Sequence, residues 1–186
     1  MIKQYDNVLS KELIKNIIDY FKSMLEKDVW SSSSAWDQDL GLISANILTH
    51  QINDNTLRKE IKKTIEKTLK VNFGEEDLNF NPAIYVWSGG SYITWHPDHL
   101  YPYNGTIYLN EEWDTNDGGL FLYRDNNLKE IKGIEPTFNS MVVNSSTEDD
   151  PHTCHCVTCI VPGVIKKRIT LQWRTSPNKK RKLLYQ

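Results

Sequence analysis

Four of the five histidines fall in two short clusters, His96-Pro97-Asp98-His99 and His152-Thr153-Cys154-His155. In an extended chain side chains alternate with period two, so His96 and Asp98 point to the same side. An imidazole and a carboxylate side by side make up two-thirds of the two-histidine, one-carboxylate set that holds non-haem Fe(II) and leaves open positions on the metal. The second cluster runs on through Cys156 and Cys159. It reads in two ways. Cys154, Cys156, Cys159 and one histidine make a structural zinc site, or the cysteines are small wall residues and one histidine is a distal iron ligand. Downstream, Arg168 and Thr170 share a face, while Ile169, Leu171 and Trp173 alternate out of phase with them. A guanidinium and a hydroxyl pointing inward suit one end of a dicarboxylate, because arginine grips a carboxylate with two parallel hydrogen bonds.

These residues need elements to hold them. Ser10 is a candidate N-cap for a helix in which Leu13, Ile14, Ile17, Ile18, Phe21, Met24 and Leu25 keep a 3.6-residue period. Ser31 to Ser34 read as a loop. A second helix is expected from about Asp54 to Lys70, with Leu57, Ile61, Ile65 and Leu69 on one face and Gly74 as its stop signal. The first third of the chain thus reads as helical. From residue 80 onward, short β-branched and aromatic stretches alternate with turn signals such as Gly118-Gly119 and Asn126-Asn127. Strands are expected at Ala83–Trp87, Tyr92–Trp95, Gly105–Leu109, Leu120–Tyr123, Lys129–Ile134, Ser140–Val143, Cys156–Val161 and Arg168–Trp173. The pattern predicts an antiparallel double-sheet roll, mainly β with flanking helices (α+β), the two N-terminal helices packed outside.

The chain has 186 residues, enough for one domain with a core that needs no disulfide staple. Its three cysteines lie within six residues of one another, which excludes a disulfide framework and points to a reducing, cytoplasmic setting. Neither a signal peptide nor an apolar run of membrane-spanning length is visible. A net charge of −2 argues against a nucleic-acid binder held by bulk charge. The run Lys179, Lys180, Arg181, Lys182 reads as a solvated basic tail over 178–186, with a nucleic-acid contact as the alternative.

Taken in order, His96-x-Asp98, a distal His155 and Arg168-x-Thr170 resemble the Fe(II)/2-oxoglutarate-dependent dioxygenases, in their prolyl-4-hydroxylase-like branch. The segments Tyr108-Leu109-Asn110, Trp113 and Gly118-Gly119 are similar to a strand pair of that branch, and His155-x-Val157-x-x-Ile160 to its distal strand. The resemblance covers about residues 80–174. It implies a double-stranded β-helix (jelly-roll) core over 80–177, supported by helices within 1–79, in one catalytic domain of 1–177. It implies His96, Asp98 and His155 as iron ligands, His152 being the competitor for the third. It implies Arg168, Thr170 and Tyr108 at the far carboxylate of 2-oxoglutarate, with Tyr85 or Trp87 lining its pocket. The cofactors would be Fe(II), 2-oxoglutarate and O2, with ascorbate as reductant. The reaction would hydroxylate an unactivated C–H, foremost of a prolyl or other amino-acid residue in a peptide or protein, and release succinate and CO2. Small molecules and nucleobases are the alternative substrates, and a non-enzymatic roll carrying structural zinc is the rival class. Asp98 favours hydroxylation, since related halogenating enzymes lack that carboxylate. The stretch from His155 to Arg168 is longer than the branch usually has, and the cysteines around the distal ligand are unusual for it. Trp36–Gly41 and His99–Asn104 are expected to cover the site, with Trp36, Tyr101 and Tyr103 available to stack on a ring.

Overall fold

The computed structural model describes residues 1–27, 29–33, 47–74, 80–98, 101–125, 129–145 and 154–176. Trp36, His99, His152, Asn126-Asn127 and the basic tail lie outside the described residues. The elements in chain order are β1 (Ile2–Tyr5), α1 (Lys11–Leu25), β2 (Ser31–Ser33), β3 (Ile47–Gln51), α2 (Asn55–Leu69), β4 (Phe80–Trp87), β5 (Ile93–His96) and β6 (Tyr103–Tyr108). They continue with β7 (Phe121–Asp125), β8 (Glu130–Ile134), β9 (Met141–Ser145), β10 (His155–Val157) and β11 (Arg168–Thr175). Two antiparallel sheets form, β1-β9-β6-β11-β4-β3-β2 and β5-β10-β7-β8. This is the expected roll, mainly β with two helices.

Both helices begin where a side-chain oxygen can accept from an otherwise unpaired backbone N–H. Ser10 caps Leu13 N at 3.1 Å and Asp54 caps Leu57 N at 2.8 Å. Their apolar stripes, Leu13, Ile17 and Phe21 on α1 and Leu57, Ile61 and Ile65 on α2, are buried against the outer face of the large sheet. There they meet Phe80, Ile84, Ile107, Leu171 and Trp173. A second apolar layer lies between the sheets and includes Ile93, Phe121, Val142, Val157 and Ile160. The phase of β11 expected from sequence holds: Leu171 and Trp173 belong to the helix-side core, Arg168 lines the interior pocket, and Thr170 bonds Trp87 of the inner layer.

Several local expectations need correction. The first third is not simply helical, because β1, β2 and β3 extend the large sheet. Ser31–Ser33 is not a loop; it pairs with β3 at Ser31↔Thr49 through Ser33↔Ile47. Helix α2 ends on Lys70, which takes the left-handed conformation at φ 56°, and Gly74 lies beyond the stop. The distal strand is shorter than expected. β10 covers His155–Val157, and Ile160 instead forms an isolated bridge with Gly118. That bridge requires glycine: Gly118 sits at φ +79°, and a Cβ there would run into the Cys159 carbonyl.

Asn139, at φ 55°, ties the segment before α1 to the roll. Its Oδ1 accepts from Leu9 N and its Nδ2 donates to Leu9 O, both at 2.9 Å and both buried. Asn139→Ala strands both backbone groups of Leu9, so a loss of about 2–4 kcal/mol in urea-unfolding free energy is expected.

Candidate metal and cosubstrate site

Strands β5 and β10 pair antiparallel with His96 directly opposite His155, which places the two imidazole rings 4.3 Å apart between centroids. Asp98 follows just beyond the end of β5, on the side that period two assigns it. His96 Nε2 lies 3.8 Å from Asp98 Oδ1, and His155 Nε2 lies 3.1 Å from Asp98 Oδ2. One ligand atom from each of the three residues falls within 4.8 Å of the others. Among the described residues this is the one set of three metal-ligating side chains that converges. Cys154, Cys156 and Cys159, half-buried, buried and exposed in turn, do not join it or form a set of their own. His152 lies outside the described residues.

The environment prepares these groups as ligands. His96 Nδ1 is 2.7 Å from Thr94 O, and a carbonyl only accepts, so Nδ1 carries the proton and Nε2 presents its lone pair to the cluster. Burial, reinforced by His155, holds the His96 imidazole below its ordinary pKa and so neutral. At Asp98 burial acts to raise the pKa. The imidazoles of His155 and His96 and the guanidinium of Arg174 outweigh it and keep the carboxyl below the usual range. For His96 and Asp98, a neutral imidazole and an ionised carboxylate are the donor forms a divalent metal needs.

A pocket opens from this cluster across the interior face of the large sheet. At its closed end Arg168 is 1% exposed. Its guanidinium carbon lies 4.8 Å from the Trp87 ring centroid and 5.1 Å from that of Tyr108. Arg168 Nε and Nη1 and Tyr108 Oη are buried with no hydrogen-bond partner. Thr170 Oγ1 accepts from Trp87 Nε1 at 3.0 Å, leaving its own proton to donate elsewhere. Gly119, at φ +71°, packs against the Arg168 stem, where a Cβ would come within 3.2 Å of Cδ. The long stretch from His155 to Arg168 is pinned to its neighbours. Gly90 N donates to Ile160 O, Ile160 N to Ser91 O, and Val161 N to Asp117 O. Arg168 therefore enters β11 in register opposite Trp87.

Tyr85 and Trp87 line the pocket, as does Tyr101. Tyr103 does not. It opens β6 on the helix side and packs at 5.6 Å from Phe73. The sequence reading missed Asn81, Asn104, Asn144, Gln172 and Arg174, all of which line the pocket. For Gln172 and Arg174 the signal was present, since they continue the period-two series of Arg168 and Thr170.

The family model of the 2OG-Fe(II) oxygenase superfamily matches residues 80–174, just over half of the chain. The chain belongs to that superfamily and is a 2-oxoglutarate-dependent dioxygenase, with a prolyl-4-hydroxylase-like fold; the family implies Fe(II), 2-oxoglutarate and O2. A non-enzymatic roll is thereby set aside. Among solved structures it is similar to a Pseudomonas putida prolyl-4-hydroxylase, at TM-score 0.67 and 16% identity over 95% of this chain and 92% of that one. It is similar also to a Trichoplax adhaerens prolyl hydroxylase in complex with a hypoxia inducible factor peptide fragment, at TM-score 0.72 and 15% identity over 100% and 87%. A viral collagen prolyl hydroxylase of Paramecium bursaria Chlorella virus-1 aligns at TM-score 0.59 and 15% identity over 93% and 94%. No curated protein matches by sequence. No described helix is long and apolar enough to cross a membrane.

His155 joins the cluster among the described residues, and a metal titration tests it against His152 as the third ligand. His155→Ala is expected to abolish stoichiometric binding of Fe(II) or Mn(II) in an anaerobic titration, and His152→Ala to leave it largely intact. The reverse result would reassign the ligand.

Proposed function

We propose that this protein hydroxylates an amino-acid residue, foremost proline, in a peptide or protein, with His96, Asp98 and His155 holding Fe(II) and Arg168, Thr170 and Tyr108 holding 2-oxoglutarate. One observation carries the reading. The three-ligand cluster and a buried, incompletely hydrogen-bonded guanidinium face one pocket. The orphaned N–H groups of Arg168 and the Tyr108 hydroxyl fit a carboxylate, and the donor set fits a divalent iron. When bound, iron and 2-oxoglutarate supply the oxidising chemistry that splits O2 between succinate and product.

The chain's own residues orient and shield. His96, fixed by its bond to Thr94 O, and His155, fixed by the β5–β10 register, present Nε2 atoms from adjacent strands. Asp98 contributes the one negative charge and would complete the ligand set for a divalent iron. Arg168 Nε and Nη1 donate to the far carboxylate, and Thr170, its oxygen already accepting from Trp87, donates its proton. Tyr108 keeps its proton as a donor, because burial raises its pKa. Ile93, Phe121, Val142 and Val157 make the apolar walls that keep water from the reacting centre.

The fold shared with prolyl hydroxylases supports a peptidyl substrate. Ascorbate would serve to keep the iron reduced. A cytoplasmic setting agrees with three free thiols. Residues 1–177 act as a single catalytic unit on this reading, since β1 and β3 belong to the same sheet as the cosubstrate strand β11.

Succinate release measured with and without Fe(II), over a panel of proline-containing peptides, small molecules and nucleobases, tests the function. Iron-dependent release stimulated by peptide is expected, and its absence with every peptide would remove the substrate assignment. His96→Ala or Asp98→Ala should abolish turnover while far-ultraviolet circular dichroism is retained. Arg168→Ala should chiefly raise the 2-oxoglutarate requirement, by tenfold or more. A charge-assisted pair is worth about 1.5–3 kcal/mol, and Lys at 168 should rescue only in part. Unchanged 2-oxoglutarate affinity would move the anchor elsewhere.

A further inference from the structure

The inward residues of the large sheet lie in cross-strand rows. Asn144 on β9 pairs in register with Asn104 on β6, Asn104 with Arg174 on β11, and Arg174 with Asn81 on β4. All four line the pocket. This row is six residues along β11 from Arg168, a separation of about 20 Å at strand rise. The carbon chain of 2-oxoglutarate, with bonds of ~1.5 Å, spans roughly 5–6 Å. A cosubstrate seated on Arg168 therefore ends far short of Arg174.

The row is built to receive something. Asn144 is 5% exposed, yet its Oδ1 has no hydrogen-bond partner, and neither has the buried Nδ2 of Asn104 beside it. Buried polar groups left unpaired cost stability, so such a pair marks where a ligand completes the bonding. An unpaired donor next to an unpaired acceptor is the complement of an amide. Arg174 lies with its guanidinium carbon 5.0 Å from the Tyr101 ring centroid, and no described carboxylate forms a salt bridge with it. Among the described residues, the pocket lining contains two arginines and a single carboxylate, Asp98. With iron and doubly charged 2-oxoglutarate in place, these described residues leave one positive charge in excess.

We propose that the Asn144–Asn104–Arg174–Asn81 row is the substrate subsite, and that it selects a segment carrying a carboxylate beside a backbone amide. Arg174 pairs with the carboxylate and the two asparagines read the amide. This rests on the hydroxylase reading above and names the substrate class of that site. The carboxylate comes either from an Asp or Glu side chain near the reacting residue or from a free C-terminus.

The test is calorimetric titration of the protein, loaded with Mn(II) and 2-oxoglutarate under anaerobic conditions, with four short proline-containing peptides. One carries Glu beside the proline with an amidated C-terminus, and one carries Gln there with the same amide. The other two carry Gln with a free C-terminus, and Lys with an amidated one. At least tenfold tighter binding of a carboxylate peptide than of the Gln amide is expected. The Glu and free-terminus arms separate the two sources. In Arg174→Glu the order should reverse, with the Lys peptide binding better than the Glu peptide, a swap that a merely structural arginine would not produce. Arg174→Lys should keep the acidic preference in weakened form. The comparison of peptides on the parent protein needs no variant to fold. If no carboxylate peptide binds more tightly than the Gln amide, the subsite assignment is overturned. Iron-dependent turnover of 2-oxoglutarate by the parent, measured without peptide, reports separately on the hydroxylase reading. Turnover with no acidic preference sinks this inference alone, whereas no turnover sinks the reading beneath it.

Discussion

A guanidinium almost wholly removed from water and held between two aromatic rings sets the terms for the rest of this structure. Removing a charge from water costs several kcal/mol even after relaxation. The flanking Trp87 and Tyr108 rings each return on the order of 2 kcal/mol by cation–π attraction at such a desolvated site. The difference has to be carried by the surrounding packing. It falls on the strands that flank β11 on either side, on two apolar layers, and on the glycine at 119 that lets the chain close over the arginine stem. Burial pulls the Arg168 pKa down, yet the group starts so high that it stays charged. Such a site is poised for a dianion. On the proposed reading, cosubstrate binding relieves a strain that folding leaves in place, and part of the folded state's stability is linked to 2-oxoglutarate concentration.

The division of labour between the sheets follows from that constraint. The small sheet, β5-β10-β7-β8, supplies the histidines, and the large sheet supplies every polar anchor along its inner face. A metal site wants short, rigid reach, which the direct pairing of His96 with His155 gives. A cosubstrate and a substrate need graded positions along one direction, which a long strand such as β11 gives at one inward residue every ~6.7 Å. The helices on the outer face contribute no group to the pocket. Their part is to bury the other side of that strand, through Leu171 and Trp173, so that its inward phase cannot slip.

How much of this was legible in the sequence depends on how local each signal is. His96-x-Asp98 and Arg168-x-Thr170 are period-two features within a single strand or its end, so the side that each pair shares can be read without any partner. The helices read correctly because their stripes and caps are local. By contrast β1 finds its partner β9 across almost the whole described chain, and Ser31–Ser33 has no apolar pattern; it is a strand because β3 lies beside it. The Asn144–Asn104–Arg174–Asn81 row is the extreme case. Its four members come from four strands, and no spacing along the chain connects them. Only the register does.

On the proposed reading, the same register would let substrate choice change without disturbing the chemistry. Rows on the large sheet are separated by two residues, and each faces a different part of the pocket. Exchanging side chains in the Arg174 row alters a wall about 20 Å along β11 from the cosubstrate anchor, and it leaves the β5–β10 pairing of the histidines untouched. The two regions are also linked electrostatically, since Arg174 is among the charges that hold the Asp98 carboxyl down, behind the two imidazoles. Replacing that arginine with an apolar residue would leave both imidazoles beside Asp98. On the proposed reading the fold thus separates a ligand set drawn from β10, the end of β5 and Asp98 just past it from a row of side chains on the opposite sheet, which can be exchanged without touching that set.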